Sequence, residues 1–309
     1  MPSLKRAFNY LLHNRMQFLD SCVRNLGFVL GDKLYLSLRF RCIMGKWIDW
    51  KNPQTFSEKL QWLKLYNRDP EYSQMVDKYA VKAYVSEILG KEYVIPSLAL
   101  WDKVEDIDWE SLPEKFVLKT THGGGSTGVV ICRDKTTFDK DKAIKKLKDS
   151  LKHDIYRDLR EWPYKNVLHR IIAEDYIDPT PGEKDLPDYK FFCFNGEPKY
   201  CQVISGRGSK MSIDFFDYDW NHQPFHEPQC YPFAINQPLK PSKFDKMWDA
   251  ARKLAQNKPF SRIDFYATED HVYFGEITFF PTSGMGGFEP NEWDSKFGEW
   301  IDLSSCTRN

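Results

Sequence analysis

A change of pattern at Lys115 constrains the fold more than any other feature of the sequence. Before it, apolar residues recur at helical spacing. "TFSEKLQWLKLYN" (55–67) offers Thr55 or Ser57 as an N-cap and repeats Leu60, Leu63 and Tyr66 along one side. "YSQMVDKYAVKAYVSEILG" (72–90) reads as a second helix closed by Gly90, and "YVIPSLALW" as a strand broken by Pro96. From Lys115 on, the chain becomes a series of short β-rich runs: "KFVLK" (115–119), "GVVIC" (128–132), "RIIAEDYI" (170–177), "YKFFCFN" (189–195), "PKYCQVIS" (198–205), "MSIDFF" (211–216), "SRIDFYA" (261–267) and "HVYFGEITFF" (271–280). Two charged or amphipathic helical stretches, 137–162 and 240–256, interrupt them, and Asn-Gly at 195–196 marks a hairpin turn. The pattern predicts an α+β protein: a helical N-terminal part, then two mixed lobes dominated by antiparallel strands.

With 309 residues, 41% of them hydrophobic, the chain can bury a sizeable core. Its 44 basic and 44 acidic residues cancel, so no overall field draws it to nucleic acid, and a charged partner must be met locally. Seven cysteines without a CxxC pair argue against a disulfide framework and for a reducing cytoplasm. The first fifty residues carry charges throughout and lack the run of about 18 apolar residues that spans a bilayer, so neither a signal peptide nor an anchor is expected. They do hold Lys5, Arg6, Arg15, Arg24, Lys33, Arg39, Arg41 and Lys46 against Asp20, Asp32 and Asp49. Either this is a helix pair packed on the body with a solvated basic face, or it rests peripherally on an anionic membrane at its inner face.

Four stretches carry residues suited to chemistry. In "FVLKTTHGGGSTGV" (116–129) a lysine ends one β run and glycines lead into another. This is a hairpin tip and not the Gly-Lys-Ser/Thr helix start of a P-loop, so it is either a flap over phosphates or a plain turn. In "SRIDFYATEDHVYFGEIT" (261–278) Arg262, Asp264 and Glu276 fall on neighbouring strands, as a Mg²⁺ site with a phosphate-facing cation would need, or as two surface ion pairs would. His222, His226 and Cys230 have metal-like spacing but no evident fourth ligand. Asp217 and Asp219 form a D-x-D after an apolar strand, either a glycosyltransferase metal motif or a turn. No G-x-S-x-G elbow is present, so covalent acyl catalysis lacks support.

Taken in order, the Lys119 strand with its glycine hairpin, "AEDYI" (173–177), "DYKFF" (188–192), "RID" (262–264) and "GEIT" (275–278) resemble the successive nucleotide-site elements of the ATP-grasp superfamily. "TFSEKLQWLKLY", "DKYAVKAYV", "KTTHGGGSTG", "DYKFFCFNGEPK" and "FGEITFFP" further resemble the TupA-like subgroup associated with teichuronopeptide biosynthesis. The resemblance implies a helical extension over 1–70, a small α/β segment over 71–114, a first lobe with the flap over 115–178 and a second lobe with the metal site over 179–309. ATP would be clamped between the lobes, with Lys119 at the α and β phosphates, and His122, Gly123, Gly124, Gly125 and Ser126 closing over the β and γ phosphates. Glu174, Asp175, Tyr176 and Ile177 would form the adenine hinge, with Asp178 near the ribose. Lys190 and Arg262 would serve as catalytic cations, and Asp264, Glu276 and Thr278 as Mg²⁺ ligands. At Thr278 most of the superfamily has Asn, which puts a second Mg²⁺ in question.

The implied chemistry is ATP-dependent amide formation through an acyl phosphate, joining an amino acid to a uronic acid carboxylate in bacterial surface polysaccharide. Thr282, Ser283 and Gly284 are the expected receivers of the amino acid carboxylate. A glycosyltransferase using Asp217 and Asp219, and a nucleotide-binding protein without turnover, are the alternatives.

Overall fold

The computed structural model describes residues 15–180, 186–206, 210–227, 231–304 and 306. Two antiparallel sheets face each other across a cavity. The first has four strands in the order β1–β4–β2–β3: β1 Ser97–Trp101, β2 Phe116–Thr120, β3 Val129–Cys132 and β4 Ile171–Asp175. The second has five, in the order β7–β6–β5–β8–β9: β5 Asp188–Phe194, β6 Glu197–Ser205, β7 Ser212–Phe216, β8 Phe260–Ala267 and β9 Val272–Thr278. The first sheet thus takes its edge strand from the segment before Lys115. The Asn-Gly turn joins β5 to β6, with both residues in the left-handed region (Asn195 φ 48°, Gly196 φ 88°), the twist that a tight hairpin needs.

Alternation gives each sheet two faces. In the first, Phe116, Leu118, Ile171 and Ala173 turn onto a core closed by Ala143 and Leu147 of helix Lys140–Leu151, while Val117, Lys119 and Glu174 face the cavity. In the second, Phe191 and Phe265 pack on helix Phe244–Ala255 through Phe244 and Trp248. The opposite face is divided. Lys190, Arg262 and Asp264 occupy one half and border the cavity, and Phe192, Phe194 and Phe260 occupy the other.

Helix Phe56–Tyr66 begins with a complete capping box: Thr55 accepts from the Glu58 N–H, and Glu58 accepts from the Thr55 N–H. Its Phe56 ring enters the aromatic half, 4.9 Å from Phe260 and 5.8 Å from Phe297. The expected continuous helix over 72–90 is instead two, Glu71–Val76 and Val81–Leu89. At the break, the Asp77 carboxylate accepts the N–H groups of Tyr79 and Ala80 and starts a new turn.

Further upstream, helices Arg15–Asn25 and Asp32–Met44 are joined by a bidentate Arg39–Asp20 pair and rest on the body through Tyr35, Leu36 and Phe40. The two helices are thus packed on the body; Lys5 and Arg6 lie outside the described residues. No helix among the described residues is long and apolar enough to cross a membrane.

Candidate nucleotide site

The cavity between the sheets holds about 1040 Å³. At one end Val94, Ile95, Val117, Ile131, Met211 and Phe274 form an apolar wall beside Glu174–Ile177, where β4 runs out. The middle is charged. Lys119 of β2 lies 2.5 Å from Glu174, and Lys82 lies 2.6 Å from the same carboxylate. Burial pushes the Glu174 carboxyl up, but the two ammonium groups outweigh it and hold the group below its usual value.

On the facing sheet, strand pairing sets Asp264 opposite Lys190 on one side and Glu276 on the other. A bulge follows Asp264, and Gly275 lies so close that a Cβ there would meet the Asp264 carbonyl at 3.1 Å. Arg262 donates to Asp264 at 2.7 and 2.8 Å, to Glu276 at 3.2 Å and to the Thr278 hydroxyl at 3.1 Å. Lys190 also donates to Asp264, and Lys78 donates to Glu276 at 2.8 Å. Burial alone would raise Glu276; Lys78, Lys190 and Arg262 reverse that and keep it ionised. Burial opposes the Arg262 charge in the same way and is overcome by Asp264 and Glu276.

Two carboxylates and a hydroxyl, all hard oxygen donors, suit Mg²⁺, which takes one or two carboxylates and completes its shell with water and substrate phosphate. Among the described residues no cluster of three His, Cys, Asp or Glu side chains offers a protein-only metal cage.

Lys119, Gly124, Gly125, Ser126, Glu174, Asp175, Tyr176, Ile177, Lys190, Arg262, Asp264, Glu276, Thr278, Thr282 and Ser283 all border the one cavity. Four expected site residues do not. His122 lies behind the wall: its ring is 1% exposed, stacks on His169 at 3.5 Å and bonds the Ser150 carbonyl at 3.1 Å. The reason is alternation, since residue 122 continues the inward series 116, 118, 120 and Thr121 still pairs with the Arg170 carbonyl. Gly123 packs against Thr120, whose hydroxyl a Cβ would meet at 2.4 Å. Asp178 is turned outward to Lys115 at 2.6 Å. Gly284 lies against Leu60 and Gln61.

The loop Pro281–Gly284 differs from an open anion nest. Ser283 donates its N–H to the Phe280 carbonyl, and its hydroxyl accepts from Lys64 at 2.6 Å. Asp217 is a turn residue: its oxygens accept from Asn221 and Gln223, and neither it nor Asp219 reaches the cavity. His222 is bonded to buried Asp214 at 2.9 Å, His226 lies 3.8 Å from Glu289, and Cys230 falls outside the described residues.

Lys78, Lys82, Lys64 and Glu161 escaped the sequence reading. The first two had a visible signal, a Lys-x-x-x-Lys spacing that puts both ammonium groups on one side of a helix start. Lys64 had one as well, falling four residues after Leu60 on the apolar side of its helix.

Among solved structures, D-alanine–D-alanine ligase from Bacillus anthracis is similar at 17% identity and a TM-score of 0.43 over 75% of this chain and 67% of that one. The Helicobacter pylori ligase of the same name follows at 14% and 0.42, over 81% and 70%. An ADP complex of N5-carboxyaminoimidazole ribonucleotide synthetase gives 17% and 0.41, over 72% and 50%. No curated protein matches the chain in sequence. The model of the TupA-like ATPgrasp family matches residues 58–302, most of the chain and every residue of the cavity's charged middle, and the chain belongs to that family.

Proposed function

We propose that this ATP-grasp enzyme is a carboxylate–amine ligase working through an acyl phosphate, and that it attaches an amino acid to a uronic acid carboxylate during bacterial surface polysaccharide synthesis. One observation carries the ligase reading: five cations, Lys78, Lys82, Lys119, Lys190 and Arg262, converge with the carboxyl groups of Glu174, Asp264 and Glu276 between an apolar wall and the glycine hairpin. That arrangement matches a polyphosphate with a base at one end.

In this reading the apolar wall and the end of β4 receive adenine, and Lys82 and Lys119 leave Glu174 for the phosphates. Asp264, Glu276 and Thr278 would hold Mg²⁺, which screens phosphate charge during transfer. A substrate carboxylate oxygen attacks the γ-phosphorus and ADP leaves; an amine then attacks the acyl carbon and phosphate leaves. Arg262 and Lys190 stabilise the charge that moves between those oxygens, so no protein nucleophile is needed. The choice of uronic acid and amino acid rests on the subgroup association, as does a cytoplasmic location with the basic N-terminus at the inner membrane face. A coupled assay for ADP release, run with uronic acids against a panel of amino acids, tests the proposal: ADP must form only when both partners are present. Release of UDP from a sugar nucleotide, or nucleotide binding without turnover, would replace it.

A further inference from the structure

Beyond the Asp264–Glu276 pair the cavity ends in Leu159, Glu161, Tyr164, Phe280, Thr282 and Ser283. Glu161 is 6% exposed yet borders the open space, an expensive place for a carboxyl unless it has a partner or a task. Glu174, Asp264 and Glu276 are each held directly by two cations. Glu161 is held indirectly. Lys64, fully buried, donates to the Ser283 hydroxyl at 2.6 Å, to the Ser283 carbonyl at 2.8 Å and to the Leu159 carbonyl at 3.0 Å, and the Ser283 hydroxyl in turn faces Glu161. A chain of ammonium, hydroxyl and carboxyl therefore runs from the interior to the cavity wall.

Burial pushes the Glu161 carboxyl above the usual carboxylate range and brings the Lys64 ammonium down to about 7. The other groups facing this corner do not compete for a proton. Burial raises Tyr164 well above its ordinary value, and Arg39 is occupied by Asp20 and the Asp158 carbonyl.

We propose that this corner is the subsite for the ammonium of the incoming amine, and that Glu161 takes one of its protons. The inference rests on the ligase reading above. A protonated amine has no free electron pair; transfer of one proton to the Glu161 carboxylate releases it. The nitrogen then bonds to the acyl carbon, the carbon–oxygen bond to phosphate breaks, and phosphate leaves with that electron pair and with the second proton from nitrogen. Ser283, held by Lys64, orients the carboxyl, and together they oppose the burial that favours its protonated form.

Hydroxylamine separates the two halves of the reaction, because it is already unprotonated at neutral pH and traps an acyl phosphate as a hydroxamate without a base. The full chain is incubated with ATP, Mg²⁺ and glucuronate or galacturonate, and with either hydroxylamine or a panel of glycine, alanine, glutamate and lysine. Glu161→Gln keeps the shape and removes the base. Its amide formation should fall by about 100-fold or more, the lower end of general-base effects, while hydroxamate formation stays within about threefold of wild type. Glu161→Asp should recover part of the amide rate. Ser283→Ala, which removes the hydroxyl between Lys64 and Glu161 and leaves both of those groups in place, should show the same split at about tenfold. Loss of both products together, or of neither, would overturn the subsite. Absence of hydroxamate from the wild-type chain would instead overturn the ligase reading on which it depends.

Discussion

The two sheets face the same cavity with the same kind of charged surface, but they are backed very differently. Behind the first lies a smaller, mostly aliphatic core that includes Val104, Ile107, Leu118, Leu147 and Ile171 with Phe116. The second continues into a dense aromatic cluster in which Phe297 alone meets Phe194, Phe225, Phe288, Tyr200 and Trp300 at centroid distances of 4.5–5.6 Å. Each such pair adds about 0.5–1.5 kcal/mol beyond simple burial. The difference matches what each side carries. In the proposed reaction Asp264, Glu276, Arg262 and Lys190 would have to hold fixed distances to the reacting centre, and they sit on the heavily backed strands. In the same proposal Lys119 and the glycine tip would close over the nucleotide and reopen, and they sit on the lightly backed ones.

The sharpest way to break this comparison is chemical. Asp264→Asn and Glu276→Gln remove charge and keep shape, so each should lower ADP formation by about 10²–10³-fold, as loss of a preorganised electrostatic group does. Gly125→Ala probes the flap tip, where φ is +57° and a Cβ meets nothing within 4 Å; its cost is backbone strain alone, and the ATP KM should rise only about threefold. Asp217→Asn, in its turn, should leave turnover within about twofold. Comparable losses from flap and platform would mean that the two sheets do not divide the work. Circular dichroism on each variant separates a chemical loss from unfolding.

The second test is mechanical. Phe297→Ala removes a ring at the centre of the aromatic cluster and should cost about 3–5 kcal/mol in urea titration. Leu147→Ala, equally buried behind the first sheet, should cost about 2–3 kcal/mol because a smaller core under one helix can settle into the gap. An equal cost at both sites would show the two cores to be equally tight.

Much of this division can be read from the residues themselves. The β runs, the Asn-Gly hairpin and the capped helix at Thr55 are local signals, and the local chemistry that predicts them also forms them. The break at Asp77 had its own signal, an aspartate able to cap the next turn, but helical periodicity on both sides masked it. Other features have no local signature. Glu161 and Lys64 are 97 positions apart and meet only because Ser283, from a third segment, stands between them. The pairing of β1 with β4 passes over a bulge after Ser97, in a run that Pro96 had already interrupted.

His122 gives the smallest and most local test. Its place in the motif suggests a phosphate ligand, but the motif fixes order along the chain and the strand fixes direction, and direction puts the ring inside. Burial, with His169 stacked beside it and His153 near, pushes its pKa down to about 4 from 6.5. The folded ring therefore binds a proton less readily than the unfolded one, and between pH 6.5 and 4 the unfolded chain holds more protons. Stability from this group is complete above pH 6.5 and is lost as pH falls toward 4. At pH 5 the loss should be about 2 kcal/mol at most, from 1.36 kcal/mol per unit. It should fall on the first sheet, because Glu276 in the second is held ionised to far lower pH by Lys78, Lys190 and Arg262. Hydrogen exchange corrected for intrinsic rate should therefore speed by about tenfold in β2 and β3 between pH 7 and pH 5, and hardly at all in β5 and β8. His122→Phe keeps a ring against His169 without a titrating nitrogen and should flatten the response. If β2 and β3 still loosen in that variant, or if β5 and β8 loosen equally, the acid weakness lies elsewhere and the two sheets share one stability.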